Sequence, residues 1–134
     1  LNVLEKCKRL NSNSYHVCEG FDKDVDFPVE CDEDIDVSLI GEPYGYRRYF
    51  LYKSKIPTMI IQGTYGRNHA MAVSRSKINL NFVTREGASD RVYKVMAAGG
   101  FLLTNDWIGR ENMFVDGHDL VIFDSPEDLA RSTI

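Results

Sequence analysis

Ile78, Leu80 and Phe82 alternate with Asn79 and Asn81, the period-two pattern of a strand. Beyond them the period changes. Ser89 and Asp90 supply an N-cap and an acidic first turn, and Val92, Val95, Met96 and Gly99 recur at helical spacing, which predicts a helix with one face on a sheet. Gly99-Gly100 stops that helix, and Phe101-Leu102-Leu103 is the short apolar run expected of a buried parallel strand. Ser76 to Asp106 therefore reads as one βαβ unit. Ligands of open α/β sheets sit at the carboxyl ends of such strands, and those ends carry Thr84, Arg85, Glu86, Thr104, Asn105 and Asp106. A charged rim on an apolar sheet marks a candidate site.

The same punctuation runs along most of the chain. Val37 to Gly41 is a strand ending on glycine, followed by Glu42-Pro43-Tyr44-Gly45-Tyr46-Arg47 and a helix to about Lys55. Met59-Ile60-Ile61 predicts the next strand, ending at Gly63, and a helix near Asn68–Arg75 leads to the Ile78 strand. A helical turn around Gly109–Phe114 precedes a fifth strand, Leu120 to Phe123, and Pro126-Glu127-Asp128-Leu129 begins another helix. Strands alternating with helices predict an α/β domain: a Rossmann-like parallel sheet of about five strands with helices on both faces. A flavodoxin-like or receiver-type domain wants clustered acids at the end of the first strand, where Ile40-Gly41-Glu42 supplies one.

Upstream the pattern is different. Val3, Leu4, Cys7 and Leu10 share a helical face, and a polar break, Asn11 to Ser14, follows. From Asp22 to Asp36 eight acidic residues stand against one lysine, the composition of an extended, solvated connector. Asp22, Asp24, Asp26 and Glu33 match positions 1, 3, 5 and 12 of a calcium loop, but Phe27 occupies the position that needs glycine and Pro28 follows it. The linker reading is preferred. The expected division is residues 1–35, the end of a preceding domain and its connector, and residues 36–134, the Rossmann-like domain. A chain that opens at Leu1 without Met and closes at Ile134 just after a helix begins is expected to be a fragment, truncated at its C-terminus.

Bulk properties narrow the function. No apolar run approaches the roughly 20 residues of a membrane helix, and no basic-then-apolar leader is present, so the expectation is a soluble, cytoplasmic protein. A net charge of −4 disfavours nucleic-acid binding, which needs clustered Lys and Arg. Cys7, Cys18 and Cys31 form no CxxC pair, arguing for reduced, semi-buried thiols over disulfides or zinc. His16, His69 and His118 are scattered, with no metal-ligand spacing and no Ser/His/Asp set.

Among residues able to carry chemistry, Gly41 to Arg47 is either a phosphate-binding turn, where amides and a helix dipole favour an anion, or an ordinary βα turn. Arg91 and Lys94, three apart on one helix, either reach an anion at the carboxyl edge or form a solvated face. Gly99-Gly100 is either a helix C-cap or a close approach to ligand. Trp107 stacks on a ring or packs.

Three segments carry a family resemblance. Asp36-Val37-Ser38-Leu39-Ile40-Gly41, Ser76 to Phe82, and Arg91 to Thr104 (RVYKVMAAGGFLLT) resemble the C-terminal half of a CgeB-like glycosyltransferase, a group similar to family-4 glycosyltransferases of the GT-B fold. Glu19-Gly20-Phe21-Asp22, Phe27-Pro28-Val29, Phe114 to Val121 and Ser125 to Leu129 extend the likeness over about residues 19–130. The resemblance implies a nucleotide-sugar donor, an acceptor held by a missing N-terminal domain, and no metal or other cofactor. The implied donor-binding set is Gly41, Tyr44, Arg47, Arg91, Lys94, Gly99, Gly100 and Asn105, with Arg47 near the diphosphate and the Arg91 helix and Gly99-Gly100 flanking the nucleoside. Glu86 and Arg91 are the implied catalytic residues, Glu86 contacting the transferred sugar. Relatives often carry a second glutamate eight positions on, facing the ribose hydroxyls. Lys94 stands there, and an ammonium donates where a carboxylate accepts. The alternative is a noncatalytic Rossmann-like module binding a nucleotide or a protein.

Overall fold

The computed structural model describes residues 3–134; Leu1 and Asn2, which open the segment assigned to a preceding domain, lie outside the described residues. Five strands, β1 (Ile35–Ile40), β2 (Met59–Ile61), β3 (Ser76–Asn81), β4 (Leu102–Asn105) and β5 (Val121–Phe123), form one parallel sheet in the order β2-β1-β3-β4-β5. Val37 pairs with Ile78 and Leu80 with Leu103. The helices are α1 (Val3–Leu10), α2 (Tyr46–Ser54), α3 (Arg67–Ser74), α4 (Asp90–Ala97) and α5 (Pro126–Arg131), with a 3-10 turn at Arg110–Asn112.

Alternation along the strands divides the core in two. Val37, Leu39, Leu80, Phe82, Leu103 and Phe123 pack against Phe50 and Leu51 of α2 and Leu129 of α5, with the Phe50, Phe82 and Phe123 rings 5.4–5.8 Å apart. Ile40, Val83 and Leu102 face the other way, onto Ala70 and Val73 of α3 and Val92 and Val95 of α4. Helices thus cover both faces, and the domain is Rossmann-like. Because both faces are covered, the polar half of the β3 alternation is buried as well. Asn79 and Asn81 are 2% and 0% exposed, and Asn79 donates from Nδ2 to the Val73 and Ser76 carbonyls, at 3.3 Å each.

The segment before β1 is largely exposed, but its first part is ordered. Residues 22–26 form a turn in which the Asp22 amide donates to Asp26 Oδ2 (3.0 Å) and the Asp24 amide to Asp22 Oδ1 (2.9 Å). Asp26 is buried. Phe27 lies under the Arg67 guanidinium, and the Val29 amide donates to Ser74 Oγ. Self-capping carboxylates and three apolar side chains hold the turn against α3, which outweighs its charge density. The cysteines also differ from expectation: Cys7, Cys18 and Cys31 are free but exposed, because none lies on an element of the core, and α1 buries none of its residues.

Candidate functional site

The sheet order reverses at β1. The chain leaves β1 for α2 on one face, and leaves β2 and β3 for α3 and α4 on the other. Carboxyl-end loops diverge at such a point and open a crevice there. A cavity of about 480 Å³ occupies it, lined by Ile40 at the end of β1 and Gly41 after it, Ile61 at the end of β2 and Gly63 to Gly66 after it, His69 of α3, and Asp90, Arg91 and Lys94 of α4. Gly20, Phe21, Asp22, Val25 and Asp26 of the turn before β1 close one side. The size falls in the roughly 300–1,000 Å³ range of small-molecule sites.

Arg91 is the central charge. Its guanidinium is half-buried, reaches only the neutral Asn81 Oδ1 at 3.4 Å, and has no carboxylate at ion-pair distance among the described residues. Burial pushes its pKa below the usual value and the nearby Arg47 charge adds to that; a guanidinium is not deprotonated in proteins. Gly41, at φ 122°, lies against it, so that a Cβ there would sit 3.2 Å from Arg91 Nη2. Lys94 is instead neutralised by Asp90 one turn earlier (2.7 Å). That bond holds the Asp90 carboxyl below, and the Lys94 ammonium above, their ordinary pKa values.

The five buried side-chain polar atoms without a hydrogen-bond partner among the described residues are Arg47 Nε, Thr64 Oγ1, His69 Nδ1, Asn81 Nδ2 and Ser89 Oγ. All belong to the carboxyl ends of β1, β2 and β3 or to the first turns that follow. Ser89 occupies the N-cap position of α4 as expected, but its side chain caps no amide. Gly66, the N-cap of α3, has no side chain to cap with. Two helices therefore open onto one cavity uncapped, each with orphan donors in its first turn.

The remaining sequence-expected residues lie elsewhere. Arg47 donates to the Glu42 and Phe82 carbonyls (3.4 and 3.2 Å) and stacks over the Tyr44 ring, 4.5 Å away, so both border the crevice without lining the cavity. Glu86 is exposed in the turn closed by Thr84 and Gly87 and makes no hydrogen bond or ion pair among the described residues. Asn105 exchanges two hydrogen bonds with the Val83 backbone (2.9 and 3.0 Å), lengthening the ladder between β3 and β4. Gly99 and Gly100 follow the C-terminus of α4 and so lie at the amino end of the sheet, opposite the cavity. The close approach that Gly100 permits is to Val73, Asn79 and Val95. Trp107 is buried against Phe114 and packs.

Missed by sequence reasoning were Gly63 to Gly66, His69 and Asp90. One signal was present: Tyr44-Gly45 and Tyr65-Gly66 each immediately precede a helix, with the glycines at φ 54°, ψ −128° and φ 56°, ψ −135°, a region open essentially to glycine alone.

These features define a Rossmann-like domain with a crevice at its topological switch point. A family model described as glycosyl transferase-like matches residues 28–133, and the chain belongs to that family. Membership implies a sugar donor as substrate. No curated protein and no solved structure matches the chain. Among the described residues no helix is long and apolar enough to cross a membrane, and no group of His, Cys, Asp and Glu is arranged to hold a metal.

Proposed function

We propose that this domain is the donor-binding half of a GT-B glycosyltransferase of the CgeB-like kind, holding a nucleotide sugar whose sugar passes to an acceptor bound by a preceding domain. The observation that carries this reading is Arg91: a half-buried guanidinium lining a cavity, with no carboxylate at ion-pair distance among the described residues, near a second guanidinium, Arg47, and bonded only to the neutral Asn81. An unpaired buried charge is costly, and a diphosphate supplies the missing counter-charge bidentately. In glycosyl transfer the leaving diphosphate gains charge as its bond to the sugar breaks, so a cation fixed beforehand stabilises the transition state more than the ground state. Arg91 takes that role, with Arg47 adding charge from outside the cavity.

Lys94 is the departure from relatives, and its pairing suggests a replacement. The Asp90 carboxylate, held by Lys94 Nζ, lines the cavity and offers the acceptor oxygens that ribose hydroxyls require. Glu86 at the exposed rim is assigned to the transferred sugar.

Thermal unfolding with a panel of nucleoside diphosphates and their sugar conjugates tests the reading. A ligand at 100 times its Kd adds about 2.7 kcal/mol. With an unfolding entropy of about 0.28 kcal/mol/K for 134 residues, the midpoint rises by about 10 °C. Arg91→Ala is expected to abolish the shift. A flat response across the panel from a folded sample would sink donor binding, and a shift that survives Arg91→Ala would remove Arg91 from it. Binding without donor hydrolysis or transfer by the full-length protein would favour the noncatalytic module.

A further inference from the structure

The β2–α3 wall of the cavity holds polar groups for which neither the resemblance nor the family match assigns a use. Gly63 (φ 67°) and Gly66 (φ 56°) turn the chain sharply, and α3 begins without a side-chain cap. The amides of Thr64, Tyr65 and Gly66 meet no acceptor among the described residues. Two side chains at this turn are also unsatisfied: Thr64 Oγ1 and His69 Nδ1, both buried. His69 is only 7% exposed, and it lines the cavity with Arg91. A buried imidazole nitrogen without a partner in a native fold calls for an explanation.

We propose that Gly63 to Gly66, with Thr64 Oγ1 and His69, forms a phosphate subsite that accepts a phosphoryl group of the nucleotide, in the same cavity as Arg91. The assignment rests on the nucleotide-sugar reading above. Amides at an uncapped helix start favour anionic oxygen, a hydroxyl donates a further bond, and an imidazole donates through either nitrogen once protonated. The groups facing His69 are Asp26 from the turn before β1 and Arg91, Lys94 and Asp90 from α4. Burial, then Arg91, hold its pKa below the ordinary value, so before an anion binds the ring is neutral at pH 7. An anion placed against it reverses the balance. Phosphate binding is therefore accompanied by proton uptake at His69, and affinity rises as pH falls.

Inorganic pyrophosphate is the probe, because it is independent of the base, and calorimetry is the readout. Titrations at pH 7 in two buffers of different ionisation enthalpy give the number of protons taken up. His69→Gln retains a hydrogen-bond donor but cannot titrate; subtracting its value removes the ligand's own protonation. The expected results are a loss of about tenfold or more in affinity for Thr64→Val and His69→Leu, and a smaller loss for His69→Gln together with disappearance of the excess proton uptake. Displacement of pyrophosphate by a nucleoside diphosphate places the nucleotide in the subsite. Pyrophosphate that nucleotides fail to displace would assign the turn to a free phosphate species and overturn the nucleotide assignment. Binding lost in Arg91→Ala but unchanged in all three β2–α3 variants overturns the subsite and leaves donor binding standing. No pyrophosphate binding by the wild-type chain, with a nucleotide shift still present in thermal unfolding, likewise overturns the subsite alone. Failure of both probes overturns the subsite and the reading beneath it.

Discussion

Gly100→Ala is the sharpest test of the packing described here. A Cβ on Gly100 would lie 2.5 Å from Val73 Cγ1, 2.8 Å from Asn79 Nδ2 and 3.1 Å from Val95 Cγ1. Two of these distances are shorter than real Cβ atoms show, and none of the neighbours is a free surface chain: Val73, Asn79 and Val95 are 0%, 2% and 1% exposed. Val73 belongs to α3, Asn79 to β3 and Val95 to α4, so relief requires α3 or α4 to shift off the sheet. One extra methyl in a packed core costs about 1–3 kcal/mol. Displacing Asn79 weakens its bonds to the Val73 and Ser76 carbonyls, adding about 1 kcal/mol. The expected loss of about 2–4 kcal/mol corresponds to a midpoint lower by about 7–14 °C at an unfolding entropy of about 0.28 kcal/mol/K. Differential scanning calorimetry of the two chains measures it. Gly87→Ala, with nothing within 4 Å of its Cβ, is the control and is expected to move the midpoint by less than about 2 °C. If Gly100→Ala unfolds within about 1 °C of the parent, the steric reasoning is refuted.

Three further outcomes are expected. His69 has a folded-state pKa below its unfolded value, so the unfolded chain binds the extra proton; stability present above about pH 6.5 is lost as pH falls from there through the folded pKa. Urea midpoints between pH 7.5 and 5.5 should therefore fall less for His69→Gln than for the parent, and parallel curves would contradict a buried neutral ring. Asn105→Ala removes both side-chain bonds to Val83 and should cost about 1–2 kcal/mol, read as a lower urea midpoint at unchanged slope; an unchanged midpoint would show that water replaces them. All three thiols are exposed and should react with a thiol reagent in the native chain without denaturant, whereas a fraction reacting only after unfolding would contradict their placement.

Much of the architecture was legible from periodicity. The βαβ unit from Ser76 to Asp106, the five strands and their parallel sense follow from alternation, short apolar runs and helix-spaced valines, because these patterns report which side of a local element is wet. The position of Arg91 at the carboxyl edge was legible as well, since residues in the first turn of a helix after a parallel strand are carried there by connectivity alone. The same connectivity carries Gly99 and Gly100 to the opposite end, a consequence of α4 running antiparallel to the strands it joins.

Composition did not show which part of the acidic run is ordered. The acidic run before β1 contains the turn that closes one side of the cavity, because Asp22 and Asp26 accept from backbone amides, while Phe27 meets the Arg67 guanidinium and Val29 packs on the core, partners that are distant in sequence. His69 looked isolated for a related reason: its neighbours Asp26, Asp90, Arg91 and Lys94 are brought to it by the crossing of α3, α4 and the turn. The sequence by itself determined the order and type of the elements and the edge at which a ligand would sit, since both depend on local period and chain direction. The tertiary structure alone decided which groups share the cavity, that Arg47 is spent largely on backbone carbonyls, that Lys94 is neutralised by Asp90, and that Arg91 has no carboxylate at ion-pair distance among the described residues. Burial and pairing are sums over residues far apart in the chain, and no local window contains them.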